Sequence, residues 1–190
     1  MRSRYAVIEP YVRGKSVLDI GSVANLGGHT LWRFLDPLAR ELTGLDLIES
    51  GDPRIHFGNV ESFSFGRSFE VIIFGSTLEH VDNQGQALDN MYSHLQDDGV
   101  MIITVPNAKW WTVVFKPHVE HVLWHDRYTL DAILTRHGFM GSELLYYPGS
   151  SLRMSFLHRC LYARHEILVI CRKQRVEASF VPHVKSPPPG

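Results

Sequence analysis

Two aspartates follow apolar residues of the kind that form buried strands, and both are suited to binding a nucleoside. Asp19 leads into a turn of small residues that begins Gly21-Ser22, and Asp46 stands near the end of the next apolar run. Glycine lets the backbone turn tightly and lets a ligand approach the amides. A carboxylate can accept two hydrogen bonds from the hydroxyls of a ribose. The pattern therefore predicts one nucleoside-shaped crevice that both aspartates border.

Histidines form the second group of residues with a capacity for chemistry. His80 comes shortly after one strong apolar run, and His118, His121 and His125 follow a later one. Imidazole gains and loses a proton near neutral pH, so it suits the removal of a proton from a hydroxyl group. The three later histidines are also an alternative metal site. No cysteine or convincing carboxylate set completes that site, so no metal is predicted.

Strands and helices must alternate along the chain to position these residues. Apolar runs predict strands at 16–20, 41–47, 54–60, 69–74, 100–105, 143–147 and 165–171. Apolar residues at helical spacing predict helices near 31–38, 87–95 and 130–134. Continuous apolar strands separated by helices are typical of a parallel sheet covered on both faces. The predicted fold is α/β, a doubly wound, mostly parallel Rossmann-like sheet of about seven strands whose last strand is antiparallel.

The spacing of the elements also predicts the domain organisation. Residues 1–176 are expected to form a single domain, and residues 177–190 lose the apolar period and are expected to be a disordered tail. The segments 48–53 and 61–68 leave little room for full helices. One side of the sheet is then less covered, and that face makes a homodimer a possible assembly.

Composition excludes several classes of protein. The chain has 190 residues, with 19 basic and 20 acidic side chains and a formal net charge of −1. This balance argues against broad electrostatic binding to nucleic acid, and no apolar run reaches the roughly 18 to 20 residues of a membrane span. Two cysteines rule out a disulfide framework. The chain is expected to be a cytoplasmic protein with neither nucleic acid nor a membrane as its partner.

Five short motifs occur in one order along the chain. They are Val17-Leu18-Asp19-Ile20-Gly21, Gly44-Leu45-Asp46, Gly58-Asn59-Val60-Glu61, Leu78-Glu79-His80-Val81 and Leu95-Gln96-Asp97-Asp98-Gly99. In this order they resemble class I S-adenosylmethionine-dependent methyltransferases, especially the small-molecule branch with Leu-Glu-His-Val after the fourth strand. The resemblance covers about residues 15–147. It implies a transferase that moves a methyl group from S-adenosyl-L-methionine to a small-molecule acceptor, such as a sugar or metabolite hydroxyl.

The resemblance also implies roles for individual residues. The cofactor contacts that it implies are Asp19, Gly21 and Ser22 at the methionine end, Asp46 at the ribose, Leu47, Asn59 and Val60 around the adenine, and Gly75 and Ser76 beneath the sulfonium. Acceptors dock beyond the fifth strand in this branch, which implies His80 and His121 as the base or orienting groups. Glu79 is interpreted as a structural residue that caps the following helix or holds the loop.

The first motif departs from the family pattern at two positions. Val23 and Asn25 stand where glycine is usual, and a β-branched valine disfavours a positive φ. A catalytically inactive binding or scaffold protein with the same fold is therefore an alternative. A nicotinamide-dependent oxidoreductase is a weaker one, because the turn lacks the G-x-G-x-x-G pattern.

Overall fold

The computed structural model describes residues 4–23, 30–111, 120–147 and 164–174. The strands are β1 (Ser16–Ile20), β2 (Glu41–Asp46), β3 (Ile55–Phe57), β4 (Phe69–Gly75), β5 (Leu95–Pro106), β6 (Phe139–Tyr147) and β7 (Glu166–Lys173). The principal helices are α1 (Arg4–Val12), α2 (Thr30–Leu35), α3 (Gln84–His94) and α4 (Arg127–Arg136), and a 3-10 turn spans Leu78–His80. None of the helices in these ranges is long and apolar enough to cross a membrane. The predicted tail at 177–190 lies outside the described residues.

The strands form one sheet in the order β3-β2-β1-β4-β5-β7-β6. Strands β1 to β5 are parallel to one another, and β7 is antiparallel to both β5 and β6. The prediction of a mostly parallel, Rossmann-like sheet with an antiparallel last strand is therefore confirmed. The strand order reverses between β1 and β4, and α2 and α3 belong to the apolar layers on opposite faces of the sheet; in doubly wound folds ligands bind at such a reversal.

Alternate residues of the central strands pack into two apolar layers, one on each face of the sheet. Leu18, Ile72 and Met101 belong to the layer that includes buried residues of α3 and α4. Their sequence neighbours Val17 and Ile73 belong to the opposite layer, which includes buried residues of α1 and α2. Full burial of one such side chain is worth about 1.5–3 kcal/mol. The two layers hold the carboxyl ends of the parallel strands in a fixed arrangement.

Several elements differ from the prediction. β3 ends at Phe57 rather than at Val60, and β6 starts at Phe139 rather than at Glu143. Helix α1 was not expected, because Pro10 lies inside it and proline disfavours a helix interior; the burial of Ile8 and Val12 outweighs that cost. Strand β5 was predicted to start at Val100, which is wrong, since Leu95 already pairs with Phe69 through an irregular register. As predicted, no helix follows β2 or β3, where the chain forms turns and bends.

Candidate active site

Asp46 ties the end of β2 to the loop that follows β1. Its Oδ2 accepts a hydrogen bond at 2.7 Å from the amide of Val23, and its Oδ1 accepts one at 3.0 Å from the amide of Ile48. A carboxylate has about four acceptor positions, so these two bonds leave the group chemically able to accept hydroxyl donors as well. Val23 does not adopt a positive φ, so this loop does not need a glycine at that position.

Asp19 is the buried acid of the crevice. It is 1% exposed, and within the described ranges neither carboxylate oxygen has a hydrogen-bond partner. Burial, and next the charge of Asp46, raise the pKa of Asp19 to about 8, while the guanidinium of Arg4 acts in the opposite direction. Asp19 and Asp46 therefore lie close enough to repel each other. A cationic group placed beside Asp19 would favour its ionised form.

The turn after β1 is built around Gly21 and Ser22. Gly21 has a φ of 80°, and a Cβ there would lie 2.4 Å from Oγ1 of Thr77, which itself donates to the carbonyl of Ile20 at 2.9 Å. The Ser22 hydroxyl turns inward and donates to the carbonyl of Asp19 at 2.7 Å. The side chain of Ser22 thus shapes the turn from inside the protein rather than facing the crevice.

The residues assigned to the adenine differ in their exposure. Leu47 is 67% exposed beside Asp46, whereas Val60 is buried and its carbonyl accepts a hydrogen bond from Asn90. The Asn59 side chain accepts a hydrogen bond from the amide of Glu61 at 2.9 Å and forms a local turn. Leu47 therefore presents an exposed apolar surface next to Asp46 in the chain, whereas Val60 is packed inside the protein.

Ser76 follows β4 in a strained conformation. Its φ is 58°, and among the described residues no other non-glycine has a positive φ. The amide of Ser76 donates to both the carbonyl and the hydroxyl of Thr104 on β5, at 3.0 and 2.9 Å, and these bonds hold the conformation. The preceding Gly75 packs against Leu31, where a Cβ would lie 2.5 Å from Cδ2. Backbone strain of this kind tends to be kept at functional sites.

We expect Ser76→Gly to stabilise the protein by about 0.5–1 kcal/mol, because glycine adopts a positive φ without the steric cost that serine pays. Urea unfolding followed by circular dichroism measures the change. Ser62→Gly is the matched control, since Ser62 is exposed and has no positive φ; it should leave stability unchanged or lower it. An equal response of the two variants would contradict the strain at Ser76.

His80 and His121 come together from two distant parts of the chain. His80 lies in the 3-10 turn after β4 and His121 lies in the segment after β5, and their ring centroids are 4.8 Å apart in an edge-on arrangement. The Nδ1 of His80 lies 3.0 Å from the carbonyl of Glu120, and the His121 ring packs on Trp124 at 4.9 Å. The two imidazoles are thus oriented next to each other, as a shared role requires.

The other histidines of this region are placed differently. His125 is buried, its Nε2 lies 2.8 Å from Oε1 of Gln84, and burial lowers its pKa. Gln84 in turn donates to the carbonyl of Leu78 at 2.6 Å. His125 therefore anchors the start of α3, and His118 lies outside the described residues.

Glu79 has a different environment from the one predicted. The expected cap of the following helix is provided by Asn83, whose side chain accepts from the amide of Gln86, so the interpretation of Glu79 as that cap is wrong. Its main-chain carbonyl does hold the later loop, because it accepts hydrogen bonds from Val122 and Leu123. The side chain is 2% exposed, and burial first and then the charge of Glu166 raise its pKa to about 8.

Comparison with known protein families identifies the class of this chain. The model of a family described as a methyltransferase domain matches residues 4–144. The chain belongs to this methyltransferase family. The prediction of a class I S-adenosylmethionine-dependent methyltransferase, made from the five ordered motifs, is thereby confirmed. A search of curated proteins finds no significant match.

Solved structures with the same fold include several bacterial methyltransferases. The Burkholderia thailandensis 1,6-didemethyltoxoflavin-N1-methyltransferase, crystallised with 1,6-didemethyltoxoflavin and S-adenosylhomocysteine, is 20% identical, with a TM-score of 0.65 over 90% of this chain and 76% of that one. An S-adenosylmethionine-dependent methyltransferase from Mesorhizobium loti is 16% identical, with a TM-score of 0.68 over 89% and 95%. The N-methyltransferase NodS from Bradyrhizobium japonicum WM9 is 19% identical, with a TM-score of 0.62 over 90% and 94%. At these identities the similarity shows the fold that the proteins share.

Arg4 is the residue of the methyltransferase crevice that sequence reasoning missed. Its Nη1 lies 3.6 Å from Oε2 of Glu166, which starts β7, and its charge also reaches Asp19. Burial raises the pKa of Glu166, and Arg4 opposes that rise. Arg4 thus places one cation among the buried acids of the crevice. Finding it from sequence requires recognition of α1, and the proline in that helix conceals it.

Proposed function

We propose that this methyltransferase binds S-adenosylmethionine across the ends of β1, β2 and β4 and methylates a hydroxyl of a small molecule, such as a sugar or metabolite. One observation carries the proposal. Asp19 is a fully buried carboxyl without a hydrogen-bond partner among the described residues, and it lies beside Asp46 at the point where strand order reverses. A buried acid of this kind costs stability unless a ligand uses it.

The residues at this edge fit the polar groups of that cofactor. Asp19 suits the ammonium of the methionyl group, because a cation offsets the burial that raises its pKa. Asp46 suits the ribose hydroxyls, and the exposed Leu47 suits one face of the adenine. Gly21, Ser22, Asn59 and Val60 act through the shape of the loops, and Gly75 and Ser76 form the floor beneath the sulfonium.

The acceptor side of the site is formed by His80 and His121. The cofactor supplies an electrophilic methyl group on a sulfonium, and the chain must align an acceptor with it and exclude water. An imidazole beside the acceptor would take the hydroxyl proton as the oxygen bonds to the methyl carbon and the carbon–sulfur bond breaks with its electron pair left on sulfur. The edge-on contact of the two rings lets one imidazole orient the other, so this pair is assigned the base and the orienting group.

Titration calorimetry with S-adenosylmethionine and S-adenosylhomocysteine tests cofactor binding. We expect binding of both, and a folded protein that binds neither would falsify the proposal. A screen of hydroxyl and amine acceptors then tests the reaction. Mass spectrometry detects methylation as a gain of about 14 Da, the mass of one added CH₂. Methylation of amines alone would contradict the hydroxyl assignment.

Asp46→Asn should weaken S-adenosylhomocysteine binding at least about 10-fold. The substitution replaces one acceptor oxygen by an amide donor, which cannot accept a hydrogen bond from a ribose hydroxyl. The new donor would also face the donor amide of Val23 or Ile48. Calorimetry measures the affinity, and thermal unfolding checks the fold. Asp97→Asn is the matched control, since the Asp97 side chain is 95% exposed at the start of β5. Unchanged affinity in Asp46→Asn would exclude Asp46 from the ribose site.

A binding protein without catalysis is the second candidate, because Val23 and Asn25 depart from the family pattern. The amide of Val23 already bonds to Asp46, and the Ser22 side chain points inward. A tight complex with S-adenosylhomocysteine and no methylation of any acceptor in the screen would favour this candidate. Methylation of any acceptor would exclude it.

A further inference from the structure

A second cluster of ligand-type side chains lies on the acceptor side of the crevice. Glu79, His80 and His121 each offer one nitrogen or carboxylate oxygen, and these three atoms lie within 4.8 Å of one another. Two imidazoles and one carboxylate are the protein ligands of several catalytic zinc sites, and of other sites for divalent transition metals. The residues come from two segments about 40 positions apart, so the folded chain, rather than a local turn, brings them together.

The state of Glu79 gives an independent indication of a cation. Its Oε2 is buried and has no hydrogen-bond partner among the described residues, and no basic residue described in the structure forms an ion pair with it. The charge that acts on it comes from Glu166, another acid. Burial without a counter-charge disfavours the ionised form of a carboxyl group. A bound cation favours that form, and the carboxyl group already lies near the two imidazoles.

The orientation of His80 suits metal binding. A carbonyl oxygen can only accept, so the contact of 3.0 Å between Nδ1 of His80 and the carbonyl of Glu120 places the proton on Nδ1. Nε2 is then the nitrogen that carries the lone pair. Metal-binding histidines commonly have their second ring nitrogen fixed in this way by a carbonyl or carboxylate. The packing of His121 between His80 and Trp124 restrains the second imidazole.

We propose that Glu79, His80 and His121 bind one divalent transition-metal ion, with zinc as the best fit, at the acceptor side of the crevice. Ligand atoms about 2.1 Å from zinc lie no more than about 4.2 Å apart, and the three atoms here lie within 4.8 Å of one another. The ion-binding step itself does not depend on methyl transfer.

The catalytic consequence of the ion rests on the proposed function. A divalent ion next to an acceptor hydroxyl lowers the pKa of that hydroxyl. The hydroxyl proton then passes to water, the oxygen bonds to the methyl carbon, and the carbon–sulfur bond breaks with its electron pair left on sulfur. When the ion is bound, His80 and His121 act as its ligands; their assignment as base and orienting group applies to the metal-free chain. Acceptors with two adjacent oxygens are the expected class, because they can bind the ion with both.

The direct test uses the untagged full chain, stripped with a chelator and then titrated with Co²⁺ and with Zn²⁺. We expect one ion to bind per chain. Bound Co²⁺ should show the visible absorption bands that nitrogen ligands produce. Glu79→Gln and His80→Gln should each lower Zn²⁺ affinity at least about 10-fold, since each removes one of three protein ligands. The matched controls, Glu41→Gln and His137→Gln, change groups that lie outside the cluster and pair with Arg67 and Asp89; they should bind as the parent does.

The possible results separate the two proposals. His80 is exposed, so His80→Gln should fold even if a change at Glu79 does not, and circular dichroism checks both variants. Absence of stoichiometric Co²⁺ or Zn²⁺ binding in the parent, binding of Mg²⁺ alone, or full affinity in folded Glu79→Gln and His80→Gln would overturn the metal site. Cofactor titrations of the metal-free chain test the methyltransferase proposal separately, so either proposal can fail without the other.

Discussion

Asp19→Asn is expected to weaken cofactor binding about 10- to 100-fold, which is the range of a lost charge-assisted hydrogen bond. The substitution keeps the shape of the side chain and removes the carboxylate that we assign to the methionyl ammonium. Near pH 7 most of the Asp19 carboxyl is protonated, because its pKa is raised to about 8. Binding of a cation beside it should therefore release about one proton. Calorimetry in buffers of different ionisation enthalpy measures both the affinity and this proton.

The same variant is expected to be more stable than the parent at alkaline pH in the absence of ligand. The pKa of Asp19 rises from an ordinary 3.8 to about 8 on folding, so the native state holds its proton more tightly than the unfolded state. The contribution of the Asp19 carboxyl to stability is full below about pH 4. This contribution falls as the pH rises to about 8 and is constant above that. Glu79 and Glu166 have raised pKa values and act in the same direction, so the difference between parent and variant isolates Asp19.

Denaturant unfolding at several pH values checks this second effect. The stability gained in Asp19→Asn should grow from pH 5 to pH 9 and reach on the order of 2 kcal/mol. Asp97→Asn, at an exposed position, should show no such trend. A gain that is independent of pH, or binding with the parent's affinity and proton release, would contradict the role given to Asp19. Gain of stability with loss of binding is a common trade-off at ligand sites.

Gly21→Ala is expected to destabilise the protein by about 2–5 kcal/mol. A non-glycine residue at a φ of 80° costs about 1–2 kcal/mol, and the new Cβ would lie 2.4 and 2.8 Å from Oγ1 and Cγ2 of Thr77, which adds an overpacking cost of about 1–3 kcal/mol. Thr77 cannot easily move, because its hydroxyl is bonded to the carbonyl of Ile20. Urea unfolding of the ligand-free protein gives the value.

Two further variants separate the steric cost from the backbone cost. Gly14→Ala has a similar φ of 72° with no atom within 4 Å of the new Cβ, so it should lose only about 1–2 kcal/mol. In a Thr77→Ala background, Gly21→Ala should be less harmful than in the parent by about 1–2 kcal/mol. Equal effects of Gly14→Ala and Gly21→Ala would show that the contact with Thr77 does not limit this position.

The parts of the fold that were predicted from sequence are those governed by local pattern. β1 and β4 are continuous apolar runs next to glycine, and their predicted and observed ranges agree to within one residue. The start of β5 was not predictable in the same way, because the pairing of Leu95 with Phe69 depends on a distant strand. Helix α1 was missed because its stability comes from the burial of Ile8 and Val12 rather than from its own sequence.

The candidate site was predictable to a similar extent. Asp19 and Asp46 lie near the carboxyl ends of the adjacent parallel strands β1 and β2, so a pattern argument alone places them at one edge. The approach of His80 to His121 depends on the path of the segment after β5, and no spacing rule encodes it. A metal was not predicted because His118, His121 and His125 lacked a carboxylate. The acid that joins the cluster, Glu79, had been interpreted as a structural residue.

The position of β7 has a consequence for the synthesis of this protein. In the described sheet β6 bonds only to β7, and β7 also covers the outer edge of β5 from Val100 to Pro106. A nascent chain that ends before Glu166 therefore has a bare apolar strand edge and a sixth strand with nothing to pair with. Such edges recruit strands from other chains. We expect the growing polypeptide to need protection from aggregation until β7 leaves the ribosome.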